Sequence, residues 1–363
     1  MATTESPPSA TTATGSPPST LASDESVHAR ITRRSFLRRF LTRPEVGSLV
    51  GAVAVFALFF TVATPFREFS SLSTVLYSSS VIGIMAVAVS LLMIGGEFDL
   101  SAGVGVITSA LAAGMFAFEF SLNVWVGAAL ALGVSLLIGF LNGYLVVRTK
   151  LPSFLITLSM FLMLQGLNLA VTRTVTGSVA SPSISDMDGF ASAQAVFASS
   201  FTVGGVNIRI TVLWWIVFVA LATWILLRTK VGNWSYAVGG NADSARAVGV
   251  PVKHTKIGLF MTVGFMAWFV GMHNLFRFNT VQSGEGIGNE LIYIAAAVIG
   301  GCALMGGYGT AIGAAIGALI LGMAQQGVVY AGWSPDLFKF FIGATLLAAV
   351  VLNLWVRLRA QRR

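Results

Sequence analysis

Long apolar runs separated by short polar breaks dominate this chain, and run length decides what they form. A helix must carry about 17–25 apolar residues to cross a bilayer. Seven runs meet that length, at 46–64, 72–94, 124–147, 210–227, 257–276, 312–330 and 337–356. Three more, at 100–118, 154–171 and 291–305, are shorter or interrupted by polar and glycine residues. The pattern predicts an all-α, polytopic membrane bundle of about ten transmembrane helices. Residues 46–356 would form it. Residues 1–45 read as a disordered tail, rich in Ser, Thr and Pro to about residue 29 and rich in Arg thereafter. Residues 357–363 form a short basic tail.

Charge placement orients the bundle. With the amino terminus inside and ten crossings, 17 of the 22 Lys and Arg fall on inner segments. Arg67, Arg173, Arg209, Arg277 and Lys339 are the exceptions. This is the excess that positively charged cytoplasmic loops carry, so both termini are expected in the cytoplasm. Within the tail, Thr32-Arg33-Arg34-Ser35-Phe36-Leu37 has the look of a twin-arginine signal, but no small-residue cleavage site clearly follows it. The tail reads instead as a cytoplasmic anchor.

Composition agrees and excludes several classes. The 363 residues are 55% hydrophobic and 10% charged, with 39 glycines. A soluble domain carries about 25% charged residues, so most of this surface faces lipid. The charge of +8 follows topology, and no nucleic-acid partner is implied. Cys302 alone forms no intrachain disulfide, and His28, His254 and His273 are too scattered for a metal site or triad. No Gly-Lys dipeptide occurs, so a Walker A loop is absent and the chain binds no nucleotide of its own by that motif. Nothing argues for an enzyme.

Chemistry is therefore sought in the polar breaks. In Gly239–Lys256, Asn241 is a candidate N-cap, Asp243 lies in the first turn, and Ala245 to Ala247 favour helix. Gly249 can close that helix and Pro251 keeps it from resuming. Two turns do not hold themselves together in water, so the segment is either a connector or a knob that packs on a neighbour. In Gly95–Gly105, the carboxylates Glu97 and Asp99 precede Ser101, and on this topology they lie near the cytoplasmic end and are hydrated. Gly95, Gly96, Glu97, Asp99 and Ser101 read as a hinge or gate, with Asp99 capping a helix from Leu100; a proton relay is the alternative.

Gly309, Gly313 and Gly317 recur every four residues and predict one helix face for close packing. Gly95–Gly96 and Gly306–Gly307 each open a small-residue helix, a faint self-similarity. Pro152 breaks the chain after Arg148 and Lys150. The amides Asn142, Gln165, Asn168, Asn274, Gln325 and Gln326 either bond between helices or line a path for a neutral, hydroxyl-rich solute. Of these, Asn142, Gln165, Asn168, Asn274 and Gln326 are the candidate path residues. Residues 172–209 form an outer segment too long for a connector: a lid, a receptor surface or a loose insert.

These segments together resemble the membrane permeases of bacterial ATP-binding-cassette (ABC) sugar importers of the ribose, xylose, arabinose and galactose type. The resemblance rests on GGEFDLSAG (Gly95–Gly103), GFLNGYLVVRTKLPSFLITLSM (Gly139–Met160), YAVGGNADSARAVGV (Tyr236–Val250) and AAAVIGGCALMGGYGTAIGAAIGALILG (Ala295–Gly322). It covers residues 46–356. Glu97-Phe98 departs from it where many members carry one apolar residue before Asp-Leu-Ser, and the Arg-rich tail is atypical.

The resemblance implies a multi-pass protein of the bacterial inner membrane in which two permease chains, expected as a homodimer, form the pathway. A separate ATPase would bind ATP and Mg inside, and an extracytoplasmic binding protein would deliver sugar. In this frame Asn241, Asp243, Ser244, Ala245, Arg246 and Gly249 match the segment that couples to the ATPase. The segment 172–209 and the turn Asn279–Glu290 would meet the binding protein through Asp186, Asp188, Glu285, Glu290 and Asp336. The same scaffold carrying a nucleoside, polyol or sugar derivative is the near alternative, and a proton-coupled carrier using Glu97 and Asp99 the distant one.

Overall fold

A computed structural model describes residues 44–361, with side chains from 46 to 351. The tail of residues 1–43, with its twin-arginine motif, lies outside the described residues, as do the side chains of the basic carboxyl-terminal tail. Residues 44 and 45, read as the end of that tail, open the first helix.

The elements are α1 (Pro44–Val62), a 3-10 turn (Thr64–Arg67), α2 (Phe69–Ile94), α3 (Ala102–Glu119), α4 (Val124–Thr149) and α5 (Ser153–Thr176). Next come α6 (Phe190–Phe197), an antiparallel hairpin of β1 (Ser200–Val203) and β2 (Val206–Arg209), α7 (Ile210–Arg228), α8 (Lys230–Gly240) and α9 (Ala242–Ala247). The chain finishes with α10 (Val252–Phe278), α11 (Asn289–Ile299), α12 (Ala311–Tyr330) and α13 (Leu337–Gln361).

Seven of these helices, α2 to α5, α7, α10 and α12, are long and apolar enough to cross a membrane. The fold is thus a polytopic helical bundle. Two runs that looked short or broken in sequence, at 100–118 and 154–171, are among the seven. Gln165 and Asn168 do not stop α5, which runs from Ser153 to Thr176. Conversely, α11 has only 11 residues, against the 15 read from hydropathy at 291–305, because Gly300 ends it.

Burial separates a core from a shell. Every residue of α2 from Ile82 to Ile94 is buried, as expected of a helix apolar all round and surrounded by others. It packs against α7, α10, α11 and α12, while α10 also packs on α3 and α4. By contrast α5 and α7 present large exposed apolar side chains, among them Leu162, Met163, Leu167, Trp224 and Leu227.

The faces predicted for close packing need one correction. Gly309 precedes Thr310, the N-cap of α12, and has φ +152°, so it lies off the helix; Gly313 and Gly317 carry the contact. A Cβ on Gly313 would lie 2.1 Å from the Gly300 carbonyl oxygen, and one on Gly317 2.0 Å from that of Ala296. Backbone thus meets backbone where α12 crosses the end of α11.

The segment 172–209 is structured. Helix α5 continues to Thr176, and Ala180 bridges Gln282. Ser181 N donates to Val281 O (2.9 Å) and Ser283 N to Val179 O (2.8 Å). Phe197 of α6 stacks on Phe276 at 5.7 Å and meets Trp268 and Phe269 edge-on. Underneath, His273 Nδ1 donates to Phe197 O (2.8 Å), since a carbonyl only accepts, which leaves Nε2 to accept from the Tyr77 hydroxyl (3.0 Å).

Candidate functional site

Helix α9 is short and capped at both ends. The Asn241 backbone is extended, and its side chain accepts from Ser244 N at 2.8 Å. At the other end Gly249, at φ +86°, donates to Arg246 O (3.0 Å), and Val250 N donates to Ala245 O (3.0 Å). These are the two crossed bonds of a Schellman ending, which a left-handed residue makes possible. Ala245 alone is buried in α9, against Val238 and Val252, with Val250 beside it. Asp243 and Arg246 pair with each other at 2.8 Å on the open side, both exposed. Ser244 and Val248 are exposed there too. One apolar foot thus seats a rigid knob whose charges face outward.

Behind the knob lies the loop 95–101, and here the hydrated setting expected for the carboxylates is overturned: Glu97 is 7% and Asp99 3% exposed. Helices close over the loop. Glu97 forms an ion pair with Lys256, in the second turn of α10. The Asp99 Oδ1 accepts from Ser101 N (2.8 Å) and Ser101 Oγ (2.6 Å), and the Asn142 Nδ2 donates to Ser101 Oγ (2.9 Å). Asp99 therefore does not cap the helix as expected: it closes a turn on Ser101, which is itself the N-cap of a helix that starts at Ala102, two residues later than expected. The loop's own backbone donors are met by side chains of α5: Phe98 N by Ser153 Oγ (3.0 Å) and Leu100 N by Thr157 Oγ1 (3.1 Å).

Three Gly-Gly pairs converge on this loop. Gly307 N donates to Ile94 O at 2.9 Å. A Cβ on Gly239 would fall 1.8 Å from that same Ile94 oxygen and 2.7 Å from Gly307 N. One on Gly306 would fall 2.6 Å from the Gly96 Cα. Gly95–Gly96, Gly239–Gly240 and Gly306–Gly307 thus touch through backbone alone, and α8, which leads into α9, is held between the approaches to α3 and α12.

Among the described residues none of the five candidate path amides hydrogen-bonds to another. Asn142 is committed to the loop 95–101. Gln326 donates from Nε2 to Ser78 Oγ at 2.7 Å, tying α12 to α2. Asn168 is buried with Nδ2 unpaired, and Gln165 and Asn274 are half-buried. A small cavity, with room for about one water, lies between Asp99, Ser101, Ser135, Gly139 and Gly264.

On the opposite face, the segments 177–189 and 279–288 form one surface through the bonds given above. Asp186, Asp188, Glu285 and Asp336 are exposed. Burial pushes the Glu285 carboxyl up from its ordinary pKa. Glu290 does not belong to this face. It is buried, and both carboxylate oxygens accept from Gly288 N at 3.1 Å, capping α11 against Gly103.

Sequence reading missed Lys256, Ser153, Thr157 and the pair Gly239–Gly240 as members of this assembly. The legible signal was the Gly-Gly dipeptide recurring beside three helix ends.

The family model described as a branched-chain amino acid transport system permease component matches residues 71–350. The ribose import permease of Escherichia coli is 32% identical over 322 residues, covering 88% of this chain and 96% of its own. The fructose import permease of Rhizobium meliloti is 29% identical, covering 79% and 78%. The autoinducer 2 import permease of an Enterobacter species is 28% identical, covering 87% and 88%. No solved structure matches. With more than three quarters of its length inside the family model, and with relatives of this identity and coverage, the chain belongs to the family of ABC importer permeases that includes these sugar permeases.

Proposed function

We propose that the chain is the translocating subunit of an ABC importer for a monosaccharide, with ten crossings and both termini in the cytoplasm. Two copies form the pathway in the bacterial inner membrane. A partner ATPase, holding ATP and Mg, docks on α9, and a binding protein delivers sugar to the opposite face.

The observation that carries this reading is α9 itself. A two-turn helix fastened by an N-cap and a Schellman ending, with one buried alanine and an outward Asp243–Arg246 pair, is shaped to receive a push from a partner. ATP-driven closure of the ATPase would move α9 and bias the bundle between outward- and inward-open states. Selection of the sugar falls largely to the binding protein.

The test is ATP-driven uptake in proteoliposomes with the ATPase and binding protein encoded beside this chain. Asp243→Ala with Arg246→Ala is expected to leave membrane insertion intact while ATPase association and uptake fall. Normal association and uptake in that variant would remove the docking assignment. Thermal-shift screening of the binding protein against pentoses, hexoses, polyols and nucleosides then identifies the solute. A proton-coupled carrier using Glu97 and Asp99 is the competing reading; uptake driven by a proton gradient without ATPase or binding protein would establish it instead. Against it stands the engagement of Glu97 by Lys256.

A further inference from the structure

The two flanks of α9 grip the same loop by different means. On one side α8 ends at Gly239–Gly240, whose backbone abuts Ile94 O and Gly96 with no side chain between. On the other, seven residues beyond the Gly249 ending, Lys256 reaches from α10 to Glu97. That pair joins positions 159 apart in sequence. Among the described residues there is only one other ion pair, and it lies on the solvated side of α9.

From these contacts we propose that Glu97 and Lys256 are positioning residues for transport. They lock the loop 95–101 to the base of α10, so that displacement of α9 reaches the starts of α3 and α12 as one movement. This rests on α9 being the ATPase docking site.

Three features support a transmitting role over simple neutralisation of charge. The loop is over-determined: its donors Phe98 N and Leu100 N are bonded to α5, and Ser101 to α4 through Asn142. A loop so held moves as a body. The backbone contacts on the α8 side exclude side chains that could absorb displacement by changing rotamer. Finally, an ion pair buried on the Glu97 side is costly to open, since the Glu97 carboxylate would lose its partner away from water. Motion of α10 therefore carries the loop along instead of leaving it behind.

The experiment uses the full complex in proteoliposomes, measuring ATP hydrolysis and uptake of a radiolabelled monosaccharide retained by the binding protein, ribose first, in the same vesicles. Glu97→Gln and Lys256→Gln are expected to keep ATPase association and hydrolysis while sugar imported per ATP falls about tenfold, a usual size for coupling between linked sites. The exchange Glu97→Lys with Lys256→Glu is expected to restore most of that ratio. Glu97→Asp, which keeps the charge and shortens its reach, should give an intermediate ratio with normal insertion.

An unchanged ratio in Glu97→Gln, Lys256→Gln and Glu97→Asp overturns the proposal. So does a loss of uptake that follows thermal stability and is not recovered by the exchange. Failure of the underlying reading is seen separately, as normal ATPase association in the Asp243→Ala, Arg246→Ala chain.

Discussion

Replacing Gly249 isolates what one backbone conformation contributes to α9. Gly249 has φ +86°, and a Cβ built there meets nothing within 4 Å, so a substitution adds no clash. The cost lies in the backbone alone. For an L-residue the left-handed region costs about 1–2 kcal/mol. The two bonds that close the helix, Gly249 N to Arg246 O and Val250 N to Ala245 O, depend on that conformation. A helix of six residues has no internal reserve against such a loss.

The ratio of capped to uncapped α9 should therefore fall about 5- to 30-fold in Gly249→Ala, and the apparent affinity for the ATPase should fall by up to that factor. Maximal uptake should recover at excess ATPase, because binding pulls the population back. Titrating the ATPase against uptake in proteoliposomes reads both quantities. The series should run Gly, Asn, Ala, Val in falling affinity, since Asn tolerates the left-handed region and a β-branched residue does not. Equal affinity for Ala, Val and the parent chain would refute the account, and so would Asn as poor as Val.

Other predictions follow from contacts already described. Gly239→Ala places a methyl 1.8 Å from Ile94 O, where only backbone can yield, and should destabilise the protein by about 1–3 kcal/mol or more in detergent melts. Gly240→Ala meets nothing within 4 Å and should melt like the parent. His273→Phe strands Phe197 O, at about 1–3 kcal/mol for a buried group, and should loosen α6. Limited proteolysis would then cut the 177–209 segment faster.

The helices were legible because hydropathy over 18 or more residues is a strong signal, and α9 was legible because caps are local: Asn241, Asp243 and Gly249 lie within nine positions. Fold elements defined by partners were not. Nothing near Glu97 in sequence points to Lys256, and the topology put the carboxylates of the loop 95–101 near the cytoplasmic end, within reach of water, when their burial depends on α4, α5, α8 and α10 closing over the loop. Glu290 likewise looked like a surface acid because its cap to Gly288 and its seat against Gly103 are tertiary facts. The GxxxG spacing was read one turn too early because Thr310, not Gly309, sets where α12 begins. Amides spread over α4, α5, α10 and α12 gave no hint of which would meet.

The brevity of α11 has a consequence for how the protein is made. Its 11 residues reach about 16 Å, half of a hydrocarbon core ~30 Å thick. Such a segment does not settle across a bilayer by itself as it leaves the ribosome. It packs on α2, made before it, but the Gly300–Gly313 and Ala296–Gly317 backbone contacts exist only after α12 has been synthesised. The final seating of α11 therefore waits for α12, so the order of synthesis leaves this helix incompletely packed until its successor arrives.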